Sequence, residues 1–264
     1  MKLAVQENLI PGRDLISQWR LIQEIGYEGI ELRGSTGMRE RLPELQRARA
    51  EGVVFSSICV ISDRFIGDFD ADRRAEALSA MTELCDVAGE VGATGVITPA
   101  SYGMHSDRLP PFKAPREPQE DRAILLQMLG KLGEHARSRG VTVLLEPLNR
   151  YEDHMVNTLR QGAELCRSLG LHSVRLMADL FHMNIEEASL AASLREAADV
   201  VAHVHLADSS RLEPGTGHTD FASAFAALEE IGFKGCAAME CRFSVDPEAA
   251  LRSAYQVLRR SAAR

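Results

Sequence analysis

Val200-Val201-Ala202-His203-Val204-His205-Leu206-Ala207-Asp208 is the stretch on which the reading of the chain turns. A short apolar run is interrupted by two histidines two positions apart, and an acidic, polar segment follows at once. In a strand, side chains alternate between faces, so His203 and His205 point one way and Val204 the other. A histidine at the end of a strand, just before a loop, suggests a ligand at the mouth of a sheet. A lone strand histidine is more often a satisfied core residue. Its weight here comes from three further strand-like runs that each end in a carboxylate.

Outward from that strand a unit recurs: an amphipathic stretch, a glycine, then a short apolar run. The glycines are Gly26, Gly52, Gly92, Gly140, Gly170 and Gly232. The runs after them include Gly29-Ile30-Glu31-Leu32, Val53-Val54-Phe55, Gly95-Val96-Ile97, Val141-Thr142-Val143-Leu144-Leu145, Val174-Arg175-Leu176-Met177 and Cys236-Ala237-Ala238-Met239. Glycine past a helix end takes the left-handed conformation that stops the helix and turns the chain into the next strand. Helical spacing precedes it in Leu15, Trp19 and Ile22, in Leu78, Met81 and Cys85, and in Leu125, Met128 and Leu132. Phe221, Phe225 and Leu228, then Leu251, Tyr255 and Leu258, repeat it, and Asp246-Pro247 is a helix cap followed by proline at the first turn. Strands near Leu3 and Val201 lack the glycine but complete a count of eight. Eight strands alternating with eight helices predict an α/β fold with a parallel sheet closed into a (β/α)8 TIM barrel. An open doubly wound sheet is the alternative, and no G-x-G-x-x-G follows the first strand to support it. With no linker or break in composition, residues 1–264 are expected to form a single TIM-barrel domain. The longest interruption, 99–119, carries Pro110, Pro111, Pro115 and Pro118; a segment of that length is read as a lid or as a solvated excursion.

A formal charge of −8, spread without blocks, argues against nucleic acid or an anionic membrane as partner. Five cysteines, odd in number and without C-x-x-C spacing, read as reduced thiols. Met1 leads straight into a strand-like Leu3-Ala4-Val5, and no apolar run reaches the roughly 18 residues of a membrane span. A cytoplasmic chain is expected, with homodimer and homotetramer both open as its assembly.

In such a barrel the working site lies at the C-terminal ends of the strands. Glu146 closes the fifth, Asp179 the sixth, His205 the seventh and Glu240 the eighth. Each ionisable group follows apolar residues, an arrangement that is costly unless charges are paired or bind a cation. Any one alone reads as a cap or rim charge; four consecutive strands point to one shared metal. Three carboxylates and an imidazole make a hard, oxygen-rich set that favours Mn²⁺, Mg²⁺ or Co²⁺, with Zn²⁺ also compatible.

Four segments carry a resemblance to a known family. They are Glu146-Pro147-Leu148-Asn149-Arg150-Tyr151-Glu152, Asp179-Leu180-Phe181-His182-Met183-Asn184-Ile185-Glu186-Glu187, His203-Val204-His205-Leu206 with Arg211 and Pro214-Gly215-Thr216-Gly217, and Met239-Glu240. The chain resembles the D-tagatose/D-psicose (ketose) 3-epimerases of the xylose-isomerase-like barrel superfamily, densely from about Val141 to Glu240. The resemblance implies one divalent metal, Mn²⁺ above all, on Glu146, Asp179, His205 and Glu240. It implies Glu146 and Glu240 as the catalytic carboxylates, and Glu152, His182 and Arg211 as holders of oxygens near C1 to C3 of a small sugar. The chemistry is coherent. A C–H beside a ketone is a weak acid, and a cation gripping two adjacent oxygens stabilises the enediolate left by its loss. Two glutamates on opposite faces of that carbon can remove a proton and return one, which inverts the centre at C3.

His203, one layer deeper than His205, is read as a supporting or core residue, and Glu31 as a candidate for hydrogen bonding in the site. His105, His135, His154, His172 and His218 receive no role. Where the family has aromatic residues after the first strand, this chain has Val5-Gln6-Glu7-Asn8. The family's tryptophan after the fourth strand is missing, with Tyr102 nearby, and the loop Cys241-Arg242-Phe243-Ser244 is short. An aldose–ketose isomerase, or a related lyase on a cyclic polyol or hydroxy-keto acid, is therefore the alternative on the same site. Arg64 or Arg108 would adapt it to a sugar phosphate. An apurinic endonuclease-like hydrolase shares the Asp-x-x-His spacing of Asp179 and His182 but needs further histidines after strands three and four.

Overall fold

The computed structural model describes residues 1–103 and 114–263. Its parallel strands are β1 (Lys2–Gln6), β2 (Gly29–Gly34), β3 (Phe55–Val60), β4 (Gly95–Pro99), β5 (Thr142–Glu146), β6 (Val174–Asp179), β7 (Val201–Leu206) and β8 (Cys236–Met239). They pair in chain order, and β8 returns to β1 to close the barrel. Around it lie α1 (Leu15–Ile25), α2 (Leu42–Ala50), α3 (Ala71–Val91), α4 (Pro118–Arg139) and α5 (Leu159–Leu169). These are followed by α6 (Leu180–Glu186), α7 (Leu190–Glu196), α8 (Phe221–Glu230) and α9 (Pro247–Ala262). The expected (β/α)8 TIM barrel is the fold.

Local chemistry explains where the elements stop. Each predicted helix-stop glycine, Gly26, Gly52, Gly92, Gly140, Gly170 and Gly232, has positive φ. Asp246 caps α9 by accepting from the backbone of Glu248 and Ala249, with Pro247 in the first turn. Two boundaries differ from the sequence reading. Val53 and Val54 precede β3: the Val53 N–H donates to Ala48 O, which keeps it in the turn out of α2. After β6 the chain forms two short helices in place of one. Glu187, extended between them, accepts from Leu159 N and Ser193 Oγ, and Ser189 caps the second.

Apolar packing is divided by the sheet. The larger core lies between strands and helices and includes Ile22, Leu45, Leu84, Leu132 and Leu258. Inside the barrel a small plug of Cys59, Ile97, Leu144 and Met177 sits among buried polar groups such as Glu31, Ser57 and His203. Register sets their level: Gln6 pairs with Glu31, Glu31 with Ser57, and Asp179 with His205.

No described helix is long and apolar enough to cross a membrane. Of the 99–119 segment, 104–113 lie outside the described residues, so the lid expectation, His105 and Arg108 do too.

Gly95 marks a close approach between strands of the sheet. A Cβ there would meet Thr142 O at 2.7 Å and the Leu144 side chain at 2.8 Å, and a backbone oxygen cannot swing aside. Gly95→Ala is expected to cost about 1–3 kcal/mol through overpacking, read as a lower urea midpoint at unchanged m-value.

Candidate metal centre and sugar-binding cleft

One acceptor or ligand atom each of Glu146, Asp179, His205 and Glu240 lies within 4.8 Å of the others. Ligands about 2.0–2.4 Å from a common ion stand no farther apart than this. His205 Nδ1 is the focus, 3.1 Å from Glu240 Oε2, 3.7 Å from Glu146 Oε1 and 3.8 Å from Asp179 Oδ2. It is buried and aligned for a hydrogen bond with none of them. A nitrogen aimed at three carboxylates and left without a partner fits a hard divalent cation among those oxygens. The four residues so placed are those expected from the strand ends.

Each side chain is held by its own local structure. Asp179 caps α6 through Oδ1, which accepts from the backbone of Phe181 and His182, and this leaves Oδ2 facing inward. Glu240, just past β8, accepts from Gln6 Nε2 at 3.1 Å on Oε1. Arg211 reaches across, 2.5 Å from Asp179 Oδ2 and in contact with Glu240 Oε2, with its guanidinium 4.8 Å from the Phe181 ring centre. It does so from φ 59°, the only positive φ at a non-glycine among the described residues. The turn is held because Arg211 N donates to Asp208 O and Arg242 N donates to Arg211 O.

The electrostatics follow from crowding in a buried space. Burial, with the charges of Glu240 and Asp179, pushes the Glu146 carboxyl up to about 7 against the pull of His205. Burial acts on Glu240 too, but His205 and Arg211 outweigh it and hold that carboxyl well below the usual range. Asp179 is likewise held down, against its burial, by Arg211, His182 and His205. Metal-free, His205 is driven well above its ordinary value by Glu31 and Glu240 despite its burial.

His182, one turn along α6 from Asp179, accepts on Nδ1 from Asn149 N at 3.2 Å and from Asn149 Nδ2 at 2.8 Å. Its proton therefore sits on Nε2, 3.7 Å from Asp179 and 3.9 Å from Glu146. Burial lowers its pKa, which leaves a neutral N–H donor aimed into the site. That suits contact with a substrate oxygen better than metal ligation. Glu152, after β5, accepts from the same Asn149 amide at 2.9 Å. A cleft of about 560 Å³ opens above, lined by Gln6, Cys59, Glu146, Glu152, His182, Arg211 and Glu240, and walled farther out by Arg33, Phe65, Tyr102 and Arg242.

Gln6 and Asn149 are the residues that sequence reasoning missed. Gln6 stood in view only as the residue found where aromatics were expected. A polar residue at the end of β1, level with the strand ends that carry the centre, was the available signal. Arg64 is placed elsewhere, paired with Glu76 and 3.4 Å from Asp63, outside the cleft lining. Among the described residues only one other group is spaced to hold an ion, Glu31 with His203 and His205, so no trinuclear site is found there.

A model of the xylose isomerase-like TIM barrel family matches residues 19–261. The 3-dehydro-D-guloside 4-epimerase of Escherichia coli is 35% identical over 261 residues, 98% of this chain and 99% of that one. The D-psicose 3-epimerase of Enterocloster bolteae is 36% identical over 138 residues, 52% of this chain and 46% of the relative. Among solved structures, apo 3-keto-D-glucoside 4-epimerase from E. coli has a TM-score of 0.93 at 35% identity, covering 98% of this chain and 99% of that one. D-psicose 3-epimerase with D-tagatose from Clostridium cellulolyticum has 0.84 at 19% identity over 99% of both chains, a likeness of fold alone.

A cation entering the centre must displace the proton that Glu146 keeps up to about 7. His205, held protonated in the metal-free protein, must also lose a proton to ligate through Nδ1. Two protons are therefore displaced below that value, and Mn²⁺ binding is expected to weaken by about a hundredfold per pH unit there. Calorimetry at pH 5.5 and 7.5, in buffers of differing ionisation enthalpy, reads both the affinity and the protons released. At one hundred times Kd, Mn²⁺ should add about 2.7 kcal/mol of stability, removed by EDTA and read as a fall in Tm.

Proposed function

The chain belongs to the xylose isomerase-like TIM barrel family, and from that premise we propose a divalent-metal-dependent sugar epimerase, one cytoplasmic domain, that inverts a carbon beside a ketone. The observation that carries the reading is the convergence of Glu146, at the end of β5, and Glu240, just past β8, on His205 Nδ1, with both carboxylates lining one cleft. Glu146, Asp179, His205 and Glu240 would hold the cation, Mn²⁺ being the best match to the donor set. When bound, the cation supplies positive charge against the negative charge that develops on two adjacent substrate oxygens.

The protein's own groups do the rest. Glu240, ionised, is the base that takes the proton from the carbon next to the ketone. Glu146, reaching in from β5, is the acid that delivers a proton to the opposite face, and exchange with solvent resets the pair. The His182 Nε2–H and the Arg211 guanidinium donate to substrate oxygens, and Glu152 accepts from a substrate hydroxyl.

For the substrate, a 3-keto-hexopyranoside inverted at C4 is the leading reading. The relative that spans nearly the whole of both chains bears the name of such an enzyme. The short loop after β8 and the absence of aromatics after β1 leave the outer cleft open to a glycosidic substituent. The expected inversion of a small free ketose at C3 stands as the second reading, favoured by the shorter stretch shared with a D-psicose 3-epimerase. Only the position of the carbon between the two carboxylates differs.

Incubation in D₂O with Mn²⁺ separates these readings. Solvent deuterium at C4 of a 3-keto-glucoside supports the first, and deuterium at C3 of D-fructose, D-tagatose or ribulose supports the second. Label at C1 or C2 with aldose formation would make the enzyme an isomerase, and no exchange anywhere would overturn epimerisation. Glu240→Gln is expected to lower kcat by roughly 10²–10⁴-fold, the usual worth of a general acid or base.

A further inference from the structure

Glu31 has no part in the chemistry above, yet no carboxylate inside the barrel is more fully engaged. It is wholly buried on β2. Oε1 accepts from Gln6 Nε2 at 3.2 Å and faces His205 Nε2 at 2.8 Å. Oε2 accepts from Ser57 Oγ at 2.7 Å and faces His203 Nε2 at 2.9 Å. A carboxylate has about four lone-pair sites, and a donor stands at each of them. An ionised carboxylate only accepts, so the proton on His205 must lie on Nε2. In the neutral ring the lone pair is then on Nδ1, the nitrogen turned toward Glu146, Asp179 and Glu240. Gln6 extends the arrangement, since the same amide nitrogen donates to Glu31 and to Glu240 Oε1.

We propose that Glu31 is the positioning residue of the metal centre: a buried anion, touching neither cation nor substrate, that locks His205 with Nδ1 free to ligate and, through Gln6, holds Glu240 in place. The proposal rests on reading the four strand-end residues as a cation site. Partners of this kind, behind a ligating histidine, typically govern 10–100-fold of metal affinity. Glutamine at position 31 would keep the shape but offer one acceptor and one donor atom. One imidazole would then have to give up its Nε2–H.

The test measures cation binding, independently of any sugar. Wild type is expected to bind one equivalent of Co²⁺ or Mn²⁺ by calorimetry. Glu31→Gln should bind 10–100-fold more weakly while the metal-free Tm stays within a few degrees. Spectra of ¹⁵N-histidine in the Zn²⁺-loaded wild type should place the His205 proton on Nε2, a signature that a purely structural Glu31 would not dictate. If the variant does not fold, that wild-type measurement decides: a proton on Nδ1 overturns the proposal. Equal affinity in wild type and variant overturns it and leaves the centre standing. Two equivalents in wild type, one of them lost in the variant, would make Glu31, His203 and His205 a second ion site in its stead. A wild type that binds no cation removes the centre itself, and this role with it.

Discussion

Three carboxylates and an imidazole nitrogen converge within 4.8 Å at the mouth of the barrel, and that crowding governs the structure around them. Two like charges 4 Å apart repel by about 4 kcal/mol even at an effective dielectric of 20. The assembly therefore needs positive charge brought to it. Arg211 supplies one share, across the outer carboxylates. It accepts a left-handed backbone to do so, a conformation that costs an arginine on the order of 1 kcal/mol. The proton kept by Glu146 is a second share in the metal-free protein, and a divalent ion is the natural replacement for it.

A closed parallel sheet makes such crowding possible because register places strand ends side by side. Asp179 and His205 are paired residues on adjacent strands, and Gln6, Glu31 and Ser57 form a polar row across three more. The apolar plug of Cys59, Ile97, Leu144 and Met177 completes the barrel interior with this row. Burial strengthens every charge–charge term in it. A small set of hydrogen bonds thus decides which nitrogen of each histidine carries a proton, for His182 through Asn149 and for His205 through Glu31.

Much of this was legible in the residues, and the exceptions have physical causes. Period and glycine placement gave the barrel because helix stops and buried strands leave local marks, as at Gly92 and before Glu146. The four strand-end groups were visible because an ionisable residue after an apolar run is expensive. Gln6 and Asn149 were missed because an amide carries no such signature: its role exists only through partners far away in the chain, 234 residues away for Gln6 and Glu240. Glu31 reads from sequence only as a hydrogen-bonding candidate for the same reason, its partners being on β1, β3 and β7. The division of the helix after β6 leaves no local mark either, since Glu187 breaks it by reaching to the start of α5 and into the middle of α7.

Asp179 joins two scales of the molecule in one carboxylate. One oxygen begins a helix, and the other confronts Arg211 and His205. That helix carries Phe181, beneath the arginine, and His182, beside Glu146. Any redistribution of charge at the mouth is consequently felt at the root of α6. The segment that presents the inward-facing imidazole of His182 is tethered to the proposed cation seat, so occupancy of that seat and the aim of the imidazole would be mechanically inseparable.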